Sequence, residues 1–111
     1  MAAKVLTTPS SDTPTVFDKF LGSAVADALR EITIPAATHQ VLIRVTDAAG
    51  APMAFKVAHT GTDDVAVGAN YLRFVSGEAY TYTTQKGGTT IYVSGDAANP
   101  SIEIASSLRA D

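Results

Sequence analysis

Few side chains in this sequence could carry out chemistry, and the two histidines come first. His39 precedes one strand-like run, and His59 ends the next. If those runs pair as a hairpin through the turn at residues 47–52, the imidazoles approach each other and could share a metal or activate a nucleophile. Two strand-end histidines half in solvent require no special geometry, and we favour that interpretation. We therefore predict neither a catalytic residue nor a metal ligand at these positions.

Two loop segments offer further candidate ligands. Asp63, Asp64, Asp96 and Asn99 carry oxygens of the kind that bind calcium. The same residue types commonly cap turns by hydrogen bonding to the neighbouring backbone, which is the interpretation we favour. Residues 86–88, Lys-Gly-Gly, could present N–H groups to an anion, although glycine pairs are common at hairpin tips. No nucleotide-binding, zinc-protease, hydrolase or EF-hand motif is present, so we predict a protein without a cofactor that is not an enzyme.

Four tyrosines near the carboxyl-terminal strands are the strongest candidates for binding a partner. A tyrosine ring on an exposed sheet face gives a large contact area at low entropy cost, together with a hydroxyl group. The alternative is that two or three of the rings complete the core. The absence of tryptophan argues against a carbohydrate platform. The predicted partner-contact residues are Tyr71, Tyr80, Tyr82, Tyr92, Val5 and Leu6.

Composition excludes several classes of protein. The chain has 111 residues, of which 46% are hydrophobic and 17% charged, as expected for one folded domain. A net charge of −3 without any basic run argues against nucleic acid as a partner. The chain has no cysteine, and its apolar runs are too short to span a membrane. The first ten residues lack the apolar block of a secretory signal, so we expect a protein made in a cytoplasm.

Apolar residues alternate with polar ones in seven runs from residue 30 onward, the pattern of strands with one buried face. Turn residues separate the runs at intervals of roughly 8–12 residues, which is typical of an antiparallel sandwich, jelly roll or barrel. The residues predicted to face inward are Ile32, Ile43, Val45, Phe55, Val57, Phe74, Val93 and Ile104.

The amino-terminal part has a different composition. Residues 1–15 contain Pro9 and Pro14 among small polar residues, which predicts an extended arm that either frays or orders against a partner. Residues 16–111 are predicted to form a single β-sandwich domain. Within it, the segment 17–29 has apolar residues at the spacing of a helical face, but Gly22 lies in its middle. The sequence therefore leaves a short helix and a strand open there.

Three stretches of the chain resemble the small capsid cement or staple (decoration) proteins of tailed bacteriophages, in particular those of short-tailed ones. These are REITIPAATHQVLIRVTDAAGAP at 30–52, NYLRFVSGEAYTYT at 70–83 and TIYVSGDAANPSIEIA at 90–105. The resemblance implies a jelly-roll-like antiparallel β-sandwich of about seven strands, with no catalytic residues. It also implies a homodimer or trimer on the outer capsid surface, where the protein bridges major capsid protein subunits and stabilises the shell.

Phage tail and fibre proteins share this style of sequence. The alternative function is therefore a tail or fibre component that binds another virion protein or a glycan on the host surface.

Overall fold

Nine β-strands make up the computed structural model, which describes residues 3–22, 30–36, 38–59, 71–84 and 88–108. Across those ranges no helix is present, and so none has the length and apolar character needed to cross a membrane. The strands are β1 (Ala3–Val5), β2 (Thr15–Leu21), β3 (Arg30–Ile34), β4 (Thr38–Thr46), β5 (Phe55–Ala58), β6 (Leu72–Phe74), β7 (Tyr80–Thr83), β8 (Thr89–Gly95) and β9 (Ser101–Leu108).

The strands β2 to β9 pair as one long hairpin that has been rolled up. Antiparallel pairs join β2 to β9, β3 to β8, β4 to β7 and β5 to β6. Two more antiparallel pairs, β4 with β9 and β5 with β8, fold this hairpin into two sheets. The sheet orders are β2-β9-β4-β7 and β1-β3-β8-β5-β6. This is the connectivity of a jelly roll, so the predicted fold class is confirmed.

The core lies between the two sheets and follows the predicted alternation. Seven of the eight residues expected to face inward are at most 4% exposed. The eighth, Phe74, is half-buried and packs against that cluster. Because a slip of one residue would turn an entire strand over, this agreement also confirms the face assigned to the strands that carry these residues.

The sequence left a short helix and a strand open at 17–29, and the part of this segment that the structure describes is a strand. Residues 15–21 form β2, which pairs with β9 from Thr15↔Ser107 to Leu21↔Ser101. Residues 23–29 lie outside the described residues. Helix propensity is a weak preference, and pairing with a full neighbouring strand overrides it. The three-residue spacing of Phe17 and Phe20 consequently places them on opposite faces of β2, with Phe17 outward and Phe20 against the core.

Part of the predicted arm belongs to the sandwich. The strand β1 pairs in parallel with β3, and the Leu6 N–H donates to the Thr33 carbonyl oxygen at 3.0 Å. Leu6 is only 2% exposed because it joins the hydrophobic core. Its predicted role as a partner contact is therefore corrected: in this fold its side chain packs within its own domain.

Candidate functional site

The strands β6 and β7 face each other at one edge of the sandwich, where a row of rings joins the two sheets. Phe74 stacks on the buried Phe55 with ring centroids 5.0 Å apart. The ring centroid of Tyr80 lies 5.5 Å from that of Phe74 and 6.0 Å from that of Tyr82. We call Phe74, Tyr80, Tyr82 and the adjoining His59 the aromatic edge. Phe74, Tyr80 and Tyr82 are partly buried and pack against the core, whereas His59 follows β5 and is exposed.

His59 is bound into the aromatic edge. Its Nε2 lies 3.0 Å from the Tyr80 hydroxyl, and its ring centroid is 4.9 Å from that of Tyr82. Burial raises the pKa of the Tyr80 hydroxyl above its ordinary value, and the neighbouring Tyr82 raises it further. Tyr80 is therefore a neutral hydroxyl at physiological pH. This pair can hold the edge together, but it does not provide an activated nucleophile.

The two histidines do not form the dyad considered from the sequence. No hydrogen bond joins His39 to His59: the His59 Nε2 lies 3.0 Å from the Tyr80 hydroxyl, whereas the His39 Nδ1 is buried without a hydrogen-bond partner among the described residues. Among the residues that the structure describes, no three His, Asp or Glu side chains are grouped so that they could hold a metal ion.

Of the four loop residues considered as calcium ligands, the structure describes Asp96 and Asn99. Asp96 forms an ion pair with Arg73, so its carboxylate is already neutralised. Asn99 adopts a left-handed backbone conformation with φ of 55°, as turn residues do. Asp63, Asp64 and residues 85–87 lie outside the described residues, and with them two of the three residues of the Lys-Gly-Gly segment considered for anion binding.

The predicted tyrosine contacts do not share one face. Tyr80 and Tyr82 are half-buried against the core. Tyr92, also half-buried, alternates with the buried Ile91 and Val93 and so lies on the outer side of the five-stranded sheet. Tyr71 is 43% exposed, and the Lys56 Nζ lies 5.4 Å from its ring centroid.

Val5, the remaining predicted contact residue, is 68% exposed on β1. It therefore lies at the edge of the five-stranded sheet, away from the tyrosines of β7.

An apolar groove runs across the outer face of the four-stranded sheet, where sequence patterning did not predict one. The pairing register aligns Phe17 on β2, Ala105 on β9 and Leu42 on β4 in one row. Phe17 is 80% exposed and Leu42 is 39% exposed. Because the alanine between them is small, the two large side chains flank a depression of about 520 Å³. We call this feature the apolar groove.

Charged residues line one end of the apolar groove. The next row outward along the same strands consists of Lys19, Glu103 and Arg44. The Arg44 Nε donates to Glu103 Oε1 at 2.5 Å, and the Lys19 Nζ is 3.9 Å from Glu103 Oε2. Two cations share one carboxylate, which leaves an excess of one positive charge on a protein whose net charge is −3. We call these three residues the cation-rich row.

Comparison with known proteins assigns no family to the chain. No family model, and hence no enzyme family, matches the chain. No curated protein matches it either.

Two solved structures show a distant likeness. One is PliG from Aeromonas hydrophila, a periplasmic inhibitor of g-type lysozyme, with 12% identity, a TM-score of 0.48 and coverage of 97% of this chain and 100% of that one. The other is a chain from the disulfide-linked pili that form Bacillus endospore appendages, with 16% identity, a TM-score of 0.35 and coverage of 86% and 89%. Likenesses this weak support no conclusion about what this chain binds.

Proposed function

We propose that this protein is a non-enzymatic structural component of a bacteriophage virion. In this proposal it binds the outside of the assembled capsid, bridges subunits of the major capsid protein and stabilises the shell. The observation that carries the proposal is the apolar groove with its cation-rich row, a surface built for contact and not for chemistry. The polar groups that could have served catalysis, such as His59 and Asp96, are engaged in holding the fold together.

The position of the apolar groove favours a binding role. Small soluble proteins seldom leave large apolar side chains grouped on their surface unless a partner covers them. Phe17, Ala105 and Leu42 belong to paired strands, so their backbone is held in place before binding. A preorganised surface loses little conformational entropy when a partner docks, which makes even a small contact effective.

The choice of the capsid as partner rests on the resemblance in sequence, and the jelly-roll connectivity agrees with it. A protein that binds the assembled shell but not separated subunits shifts the equilibrium toward assembly by mass action. Many copies act on the same shell, so each individual contact need not be tight.

We further propose that two or three copies associate with one another. Among the residues that the structure describes, β6 is the end strand of the five-stranded sheet, and none of them pairs with its outer side. The apolar side chains Tyr71, Leu72 and Val75 are all exposed beside it. A closed twofold contact is the commonest arrangement for such an edge. Sedimentation of the isolated protein as a strict monomer at high micromolar concentration would count against this contact.

The test is to locate the protein in purified virus particles and to remove its gene. The proposal predicts that the protein lies on the capsid exterior, and that particles lacking it still form but burst at a lower temperature. If such particles are as robust as normal ones but fail to adsorb to cells, the tail or fibre function replaces the one proposed.

A further inference from the structure

We infer that the apolar groove and the cation-rich row form one binding site for an extended acidic segment of a partner protein. In this site a large apolar side chain of the partner sits over Ala105 between Phe17 and Leu42. A carboxylate of the partner then meets Arg44 and Lys19. The inference deepens the proposed function by specifying the chemistry of the capsid segment that is bound, and it rests on that function only for the identity of the partner.

The spacing of the two rows fits an extended peptide. The apolar groove and the cation-rich row are two residues apart along each strand. At a rise of about 3.3 Å per residue, the rows are roughly 7 Å apart. A peptide in extended conformation that runs along the strands presents side chains i and i+2 on one face at the same separation. A matching segment that runs in the direction of β2 and β4 therefore carries an apolar residue followed by Asp or Glu two positions later, and one that runs in the opposite direction carries them in reverse order.

The charge of the site favours an acidic partner. The side chains of Lys19 and Arg44 are 64% and 63% exposed, so both cations are accessible. Glu103 is the one carboxylate that they share, and the guanidinium group alone has more N–H donors than this carboxylate can accept. A carboxylate from the partner would balance the excess positive charge and accept further hydrogen bonds from Arg44.

A second copy of the same face is a poorer occupant. If two copies met about a twofold axis that is parallel to the strands and passes through β9, Lys19 would face Arg44 and Glu103 would face its own counterpart. If the axis ran across the strands through Ala105, the cations would face the neutral row of Ser107 and Gln40. In neither arrangement does a carboxylate lie opposite Lys19 or Arg44, and a second copy brings the same excess of positive charge, so charge complementarity favours a different chain.

The site can be tested with the intact protein and two capped synthetic peptides, Thr-Leu-Thr-Glu-Thr and Thr-Leu-Thr-Lys-Thr. Each is titrated to about 5 mM, a range in which weak binding is measurable, while backbone amide signals are followed by NMR. The acidic peptide should shift the signals of Phe17, Ala105 and Arg44 and should bind about two- to fivefold more tightly than the basic one. Raising the ionic strength to about 0.5 M should remove most of that preference.

Three variants separate the contributions. Arg44→Glu should reverse the preference, so that the basic peptide binds more tightly. Phe17→Ser should abolish binding of both peptides. Leu21→Ser is the matched control, since Leu21 lies on the same strand and face as Phe17 and is 63% exposed, but does not line the apolar groove. The control should bind like the unaltered protein.

Several results would overturn the inference. These are no shift with either peptide, equal binding of both, or an unchanged preference in Arg44→Glu. Concentration-dependent shifts of the same amides without peptide would assign the site to a second copy. The experiment contains no virus particles, so its outcome is independent of the proposed function. If the acidic peptide binds but the protein is absent from capsids, only the capsid function fails.

Discussion

Two phenylalanines of this protein have opposite environments. Phe55 on β5 is fully buried and stacks on Phe74 at the aromatic edge, whereas Phe17 on β2 is 80% exposed beside the apolar groove. Both occupy strands, and the face on which each ring lies determines its environment. Residue type alone therefore does not distinguish an aromatic ring that stabilises the fold from one that is available to a partner.

The aromatic edge compensates for short strands. The strands β6 and β7 have three and four residues, so each makes few backbone hydrogen bonds. The ring contacts between Phe74 and Tyr80 hold these two strands together across the edge. At the opposite edge, β1 and β2 are joined by an ion pair, with the Lys4 Nζ 3.5 Å from Asp18 Oδ1.

Truncation of the buried ring should give the largest effect on stability. We expect Phe55→Ala to lower the free energy of unfolding by about 3–5 kcal/mol, because it removes a buried ring and leaves a cavity. Urea unfolding followed by circular dichroism measures this change. A loss below about 1 kcal/mol would show that Phe55 is not part of the core and that it does not differ from Phe17 in this respect.

Removing one hydroxyl from the aromatic edge should have a moderate effect. Tyr80→Phe keeps the ring but deletes the hydrogen bond to His59, and we expect a loss of about 1 kcal/mol at neutral pH. The matched control is Tyr71→Phe, because Tyr71 is exposed and lies outside the edge. Equal effects in the two variants would show that the hydrogen bond contributes nothing.

Ionisation of the Tyr80 hydroxyl should make the free energy of unfolding depend on pH in the alkaline range. The folded state raises the pKa of Tyr80, chiefly by burial, so it holds the proton more tightly than the unfolded state does. The contribution of this proton is fully present below the unfolded pKa of about 10 and is lost as the pH rises through the folded value. Unfolding measured between neutral pH and about pH 11 should therefore show a steeper loss for the unaltered protein than for Tyr80→Phe. Parallel curves would contradict the raised pKa.

The smallest effect on stability is expected at the apolar groove. Phe17→Ser should change the free energy of unfolding by no more than about 0.5 kcal/mol, because the ring is mostly exposed. Thermal unfolding of this variant beside Phe55→Ala measures the contrast directly. A loss comparable to that of Phe55→Ala would mean that Phe17 serves the fold and not a partner.

Most of the fold was predictable because apolar and polar residues alternate along its strands. All seven predicted runs correspond to β3 through β9, since each directs alternate residues toward the core. The strand β1 has only three residues, too few to show a period, and it pairs in parallel with β3. The strand β2 carries Phe17 and Phe20 three positions apart, a spacing that also fits a helix, and only pairing with β9 decides between them.

The candidate site was less predictable because it depends on contacts between distant parts of the chain. Phe17, Leu42 and Ala105 come together only through the register of three strands. The outward position of Leu42 followed from alternation, but nothing in the sequence indicated that Phe17 would lie across Ala105 from it. The tyrosines were conspicuous by type, yet their strands place them on different faces.

The most direct test of whether the apolar groove binds the capsid measures both binding to virus particles and their resistance to heat. Particles assembled without the protein are mixed with the unaltered chain, with Phe17→Ser or with Leu21→Ser, and bound protein and the temperature of bursting are measured. We expect the unaltered chain and Leu21→Ser to bind and to raise the bursting temperature, whereas Phe17→Ser should do neither. Binding and protection by Phe17→Ser equal to those of the unaltered chain would contradict this expectation.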